Sequence, residues 1–178
     1  MAPASTVGRG PLVLRRWRDT DVDELRRVVV SAQPSLRPWM PWSLGTYDRT
    51  AAADFLAGTQ ASWERGKAFS YAITVDGAVV GACGLANNGV PNTLEIGYWL
   101  HPSRTGRGYA TEATAALVGV AFTLSRVNAV QIWHDAANTA SEGVPRRLGF
   151  TEVARRTPPR EMLTSGEVGV DVVWELRR

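Results

Sequence analysis

Apolar positions recur along the chain with two different periods, and the switches between them mark out its elements. In "LVLRRW" (residues 12–17) apolar and charged residues alternate, as they do in a half-buried strand. "DTDVDELRRVVVSA" (19–32) sets acidic residues ahead of an apolar repeat of helical spacing, and "TAAADFLAGTQASWERG" (50–66) predicts a second helix. Two prolines in "LRPWMPWS" (36–43) predict a loop between them. "FSYAITVDGAVVGACGLA" predicts a hairpin that turns at Asp76-Gly77, and "TLEIGYWLH" predicts a further strand. An alanine-rich helix behind a glycine loop, "HPSRTGRGYATEATAALVGVAFTL", comes next. It is followed by a strand in "VNAVQIWHD", a short helix in "TASEGVPRRLG" and closing strands in "FTEVARR" and "VDVVWELRR". This order predicts an α/β (α+β) mixed sheet flanked by helices. Residues 1–10 read as an N-terminal tail and 11–178 as one domain.

Composition narrows the class. With 44% hydrophobic and 21% charged residues over 178 positions, the chain suits a single folded domain rather than a disordered one. No apolar run approaches a membrane span, and "MAPASTVGRG" has no signal-peptide core, so no membrane association is expected. The single cysteine, Cys83, excludes an internal disulfide and fits a reducing, cytoplasmic setting; its apolar neighbours predict a small core residue. Nineteen of the twenty cationic residues are arginine, yet the net charge is only +3 and the arginine doublets are scattered. A nucleic-acid footprint should be clustered, so no nucleic-acid partner is expected, while a phosphate-bearing small ligand is favoured. His101 and His134 have no third ligand at metal-site spacing, so no metal is expected.

"RTGRGYATEA" places Gly106 and Gly108 directly before a helix, with Arg107 between them. The unpaired amides and dipole of a helix N-terminus attract anions, and glycines clear the approach of a phosphate. The segment is neither a P-loop nor a dinucleotide fingerprint, because the Gly-Lys-Ser/Thr and G-x-G-x-x-G spacings are missing.

Taken with "NTASEGVPRRLGF", the stretch "LEIGYWLHPSRTGRGYATEA" resembles the GNAT acyltransferases, particularly the RimJ/RimL-like branch, which includes acetylases of ribosomal-protein N-termini. The resemblance runs from "LVLRRWRDTDVDEL" to "VDVVWELRR". It implies a central, mostly antiparallel sheet whose middle strands splay, and acetyl-CoA as cosubstrate. The Q/R-x-x-G-x-G/A loop of that family holds the pyrophosphate on backbone amides, which maps onto Thr105, Gly106, Arg107, Gly108, Tyr109 and Ala110. Thr105 departs from the expected Gln or Arg, and Arg104, one residue earlier, stands as its substitute. The resemblance also implies that free backbone at Trp99 and Leu100 pairs with the pantetheine arm, and that Asn138 and Ser141 contact CoA, with the Ser141 hydroxyl near the sulfur.

Acetyl transfer to an amine needs a neutral nucleophile, a polarised carbonyl and a proton for the leaving thiolate. Gly97 predicts a β-bulge, a close backbone approach or mere relief of crowding. Glu95, two residues before it, is a candidate base acting directly or through water, or else an edge carboxylate in solvent or in a salt bridge. Ser141 is a candidate proton donor, and Asn138 a helix cap. Pro145 has no amide, so the Ser141 carbonyl loses its helical partner and is left to serve the site or to take water. Trp39 and Trp42 are candidate walls of the acceptor pocket, or core anchors. The function expected is N-acetyl transfer by a direct ternary complex, to a peptide N-terminal amine or to a small amine such as a polyamine or antibiotic. The alternative class is a non-catalytic CoA-binding regulatory module. Oligomeric state stays open, a homodimer included.

Overall fold

The computed structural model describes residues 2–8 and 11–178. Its strands are β1 (Thr6–Val7), β2 (Leu12–Arg16), β3 (Ala68–Val75), β4 (Ala78–Asn87), β5 (Thr93–Leu100), β6 (Ala129–Asp135), β7 (Thr151–Arg156) and β8 (Asp171–Arg177). Four helices join them: α1 (Val22–Leu36), α2 (Arg49–Glu64), α3 (Tyr109–Thr123) and α4 (Thr139–Arg147). The strands form one open sheet in the order β1-β2-β3-β4-β5-β6-β8-β7.

Alternation along each strand sorts the core into two layers. α3 covers one face, where Leu14, Ile73, Leu85, Ile96, Leu117 and Ile132 are buried; α1 and α2 cover the other around Trp17, Leu25, Val29 and Leu56. On β5 the period of two therefore directs Ile96, Tyr98 and Leu100 to the α3 side, and Glu95, Gly97 and Trp99 to the α1/α2 side. The β3–β4 hairpin turns at Asp76 and Gly77, whose φ values of +51° and +82° are those of a type I′ turn.

The chain differs from the sequence expectation in two places. Thr6 and Val7 are not tail: they pair with Arg15 and Leu14 of β2, and the Tyr71 hydroxyl donates to the Ala4 carbonyl at 2.8 Å. Two residues carry no periodic pattern, and it is the open edge of β2 that orders them. The first helix also continues through Pro34 to Leu36. Proline removes a bond to the carbonyl four residues back, on the solvent-facing turn at Val30, while Ala32, Gln33 and Leu36 remain buried beyond it.

Every neighbouring pair of strands is antiparallel except β5 and β6, which α3 connects. Their parallel ladder covers Thr93–Ala129, Leu94–Val130 and Glu95–Gln131 and then stops, although β5 runs on to Leu100 and β6 to Asp135. The two strands splay beyond Glu95. That wedge positions Glu95, Gly97 and Tyr98.

Candidate active site

α2 and α4 begin with side-chain caps: Asp48 accepts from the Ala51 amide at 2.8 Å and Asn138 from the Ser141 amide at 3.1 Å. α3 does not. Its cap is Gly108, at φ +82° and without a capping side chain, preceded by Gly106 at φ +72°. Such φ values strain any residue with a Cβ. A Cβ at either glycine would meet nothing within 4 Å, so the glycines also leave the space ahead of the helix open. The Glu112 amide bonds back to Gly108 at 2.9 Å, and the first turn before it has its N–H groups directed outward.

This end of α3 opens into a cleft of about 530 Å³ between the end of β5 and α4. Trp99, Leu100, Thr105, Gly106, Gly108, Tyr109, Ala110, Asn138, Ser141 and Trp39 all line it. Arg104 and Arg107 do not; Arg107 is exposed, and Thr105 turns its hydroxyl back to the Pro102 carbonyl at 2.8 Å. The cation in the wall is instead Arg147 of α4, held by a 3.0 Å bond from its Nε to the Thr111 hydroxyl. In the sequence Arg147 is half of a doublet with Arg146, and only the packing of α4 on α3 separates the two.

No sequence pattern singles out Tyr98. Its hydroxyl lies 3.1 Å from the Ser141 carbonyl and 3.0 Å from the Ser141 hydroxyl. A phenol has one proton, so it donates to the carbonyl that Pro145 leaves without a helical partner, and accepts from the serine hydroxyl. Burial pushes the Tyr98 pKa up to about 12, the bond to Ser141 and the charge of Arg147 opposing it only in part; at neutral pH the phenol stays protonated. Pro145 leaves the Ser141 carbonyl without a helical partner, and a tyrosine on the facing strand takes it.

A second, smaller cavity of about 200 Å³ adjoins the cleft and shares Tyr98, Asn138, Ser141, Trp39 and Met40 with it. Glu95 lies in its wall, and the salt-bridge alternative describes its state: Arg160 grips both carboxylate oxygens at 2.6 and 2.5 Å. Arg160 sits 4.2 Å above the Trp133 ring, and its amide donates to Asp171 at 3.0 Å. Nothing in the irregular stretch from Thr157 to Val170 signalled this partner. Gly97 makes no bulge; it pairs in register with Gly84, and a Cβ there would meet nothing within 4 Å. Its lack of a side chain keeps the wall of the wedge open rather than relieving a clash.

The loop before β8 closes over this end. Asp135, buried at the end of β6, accepts from the amides of Ala137, Val168, Gly169 and Val170 at 2.8, 3.0, 2.8 and 3.2 Å. Burial raises its pKa, but those bonds together outweigh it and hold the carboxyl below its usual range. Gly166 and Thr164 bond to the Pro38 carbonyl, tying the loop to the segment that carries Trp39. Trp39 thus stands between the first two cavities, while Trp42, exposed, lines a third on the α1/α2 face with Tyr47 and Trp99.

His134 borders the Glu95 cavity, but both of its ring nitrogens are engaged elsewhere. His134 donates from Nδ1 to the Asp135 carbonyl and accepts from the Trp174 indole at 2.9 Å, and His101 bridges Ser31 and Ser103. Cys83 is buried, which pushes its thiol pKa up. Among the described residues no group of His, Cys, Asp or Glu is placed to hold a metal, and no helix is long and apolar enough to cross a membrane.

Residues 11–151 match the family model for the acetyltransferase (GNAT) domain. The chain belongs to the GNAT acetyltransferases. Among curated proteins, this acetyltransferase is 29% identical to YdaF of Bacillus subtilis, provisionally named a ribosomal N-acetyltransferase, over 79% of this chain and 78% of that protein. Among solved structures it is similar to RimJ of Mycobacterium smegmatis in complex with a CoA disulfide. There the identity is 27%, the TM-score 0.87, and the coverage 99% of this chain and 90% of RimJ. RimL, a ribosomal L7/L12 α-N-protein acetyltransferase solved with coenzyme A, shares the fold at 21% identity and a TM-score of 0.89, covering 97% of both chains. The open mixed sheet with its flanking helices is that of these GNAT neighbours.

Proposed function

We propose that this acetyltransferase moves the acetyl group of acetyl-CoA directly, in a ternary complex, to the α-amine of a protein N-terminus, with a ribosomal protein as the acceptor class. The observation that carries this reading is the meeting of the uncapped α3 terminus, the free edge of β5 and the Tyr98–Ser141 pair in one cleft. The names of YdaF, RimJ and RimL support the acceptor class.

The residues present fit the cosubstrate. Amides from Gly106 to Ala110 would receive the pyrophosphate, with Arg147 adding charge beside them. The backbone of Trp99 and Leu100, unpaired on its β6 side, would receive the pantetheine arm and lend an N–H to the thioester carbonyl. Acetyl-CoA supplies an activated acyl group whose leaving atom is sulfur. At rest the Ser141 hydroxyl bonds to Tyr98; as the C–S bond breaks it turns to the sulfur and donates its proton there, and the serine is reprotonated from solvent, which has taken up the proton released by the amine. The amine reaches the carbonyl through the Glu95 cavity. Because Arg160 holds both Glu95 oxygens, the proton leaves the ammonium through a water that rests on their remaining lone pairs.

The α-amine is favoured on chemical grounds. Its reference pKa lies near ~8 against ~10.4 for lysine, so a weak, water-relayed base has less to do. The test is thiol release from acetyl-CoA with peptides of free N-terminus, N-blocked lysine peptides, polyamines and aminoglycosides. Free N-termini should turn over fastest, and Glu95→Gln should lower kcat most at low pH, the deficit closing as pH rises. Equal rates with N-blocked lysine peptides would overturn the α-amine preference; a pH-independent loss would make Glu95 a positioning residue. Saturable CoA binding without thiol release from any amine would indicate a regulatory module.

A further inference from the structure

The third cavity, of about 630 Å³, lies on the α1/α2 face of the wedge and differs from the other two in its chemistry. Its walls are Leu25, Met40, Trp42, Tyr47, Phe55 and Trp99, four of them aromatic, and Gly97 and Ala82 form its floor. Trp42 meets Tyr47 and Trp99 with ring centroids 6.0 Å apart in each case, and the planes are tilted rather than stacked. Trp42, Leu44 and Phe55, in and beside the wall, remain 46%, 43% and 37% exposed. Large apolar side chains left in water around a concave apolar surface mark a binding site rather than unfinished core.

Tyr98 and Met40 line all three cavities, and Gly97 lines the second and third. The three therefore meet where the acyl group would sit: a cleft with phosphate-binding amides, a polar cavity with Glu95, and an apolar cavity under Trp42. An acceptor whose amine lies at the junction and whose next atoms turn away from CoA must place its first side chain in the apolar cavity. We infer that the preferred acceptor is an N-terminus whose first residue has a large apolar or aromatic side chain, seated between Trp42, Phe55 and Trp99. A first residue such as serine or alanine would leave this surface wet. The absence of a Cβ at Gly97, where nothing lies within 4 Å, keeps the floor deep enough for a ring.

This inference rests on the α-amine reading and is tested beside it. Peptides identical except for the first residue (Phe, Leu, Ala or Ser), each with a free N-terminus, are assayed for kcat/KM with acetyl-CoA. Burial of one large side chain should favour Phe and Leu over Ser by about 10- to 100-fold. Trp42→Ala should bring that ratio to within about 3-fold through the acceptor KM, with CoA affinity and melting temperature as controls for the fold. Ser- or Ala-first peptides that react as fast as Phe-first ones would overturn the inference and leave the α-amine reading standing. A preference that survives Trp42→Ala would overturn the placement in this cavity. Reaction with small amines but with no free peptide N-terminus would overturn both.

Discussion

Replacing Tyr98 by phenylalanine removes one oxygen and tests the proposed proton donor without touching it. That oxygen has two tasks. It donates to the Ser141 carbonyl, which has no other helical partner because residue 145 is proline, and it accepts from the Ser141 hydroxyl at 3.0 Å. Phenylalanine fills the same space, so no cavity forms; the loss is the hydrogen bonding alone. A buried carbonyl left without a partner costs about 1–3 kcal/mol, and since Ser141 borders an open cleft that water can enter, the low end of that range applies. For a chain of this length about 1 kcal/mol lowers Tm by roughly 2–4 °C. The larger effect is on chemistry. General-acid catalysis contributes about 100- to 10,000-fold, and a serine hydroxyl free to rotate loses part of it, so kcat should fall by about 10-fold. Stopped-flow thiol release gives kcat, and calorimetry gives the CoA dissociation constant, which should not change. Ser141→Ala should lower kcat further, and the double variant should match Ser141→Ala rather than multiply the two losses, because both act through one proton. The phenol, with its pKa near 12, is protonated throughout, so the Tyr98→Phe deficit should be flat between pH 6 and 9. Wild-type kcat in Tyr98→Phe alongside a large loss in Ser141→Ala would refute the positioning argument; multiplicative losses would show that the two residues act independently.

Two other expectations concern the walls of the site. Gly108→Val adds a branched side chain at φ +82°, directly in the open space ahead of α3, and should raise the CoA dissociation constant at least about 10-fold by calorimetry, whereas Thr105→Ala, exposed and bonded to its own loop, should leave it within about 2-fold. In Asp135→Asn one carboxylate oxygen becomes an NH2, so two of the four amides it holds lose their acceptor, which predicts a loss of about 2–4 kcal/mol in urea unfolding at pH 7. The folded carboxyl lies below its unfolded value, so its contribution is present above the unfolded pKa and lost as pH falls through the folded one; the stability gap between the two proteins should begin to close below about pH 4 and vanish only below the folded pKa.

The pattern of the chain determined the order and kind of its elements, the Asp76-Gly77 turn and the glycine loop ahead of α3, because periodicity, turn chemistry and capping act between residues a few positions apart. An uncapped helix behind two glycines is legible without any tertiary information, and "LEIGYWLHPSRTGRGYATEA" together with "NTASEGVPRRLGF" carries the family resemblance. The missing partner of the Ser141 carbonyl was legible too, from Pro145 alone. What the sequence left undecided were contacts between residues far apart in it. Arg160 reaches Glu95 across 65 positions from an irregular loop, and Tyr98 reaches Ser141 across 43. Arg147 and Arg146 are neighbours in the chain, yet only one of them faces the cleft. β1 exists because β2 has an open edge, not because two residues prefer a strand. Above all, the wedge is a property of β5 and β6 together: each reads as an ordinary strand, and only the end of their ladder at Glu95 and Gln131 opens the space in which the three cavities meet. Local periodicity specifies which face of a strand is buried, but the distance between two strands is set by everything packed on both of them, and that sum is tertiary.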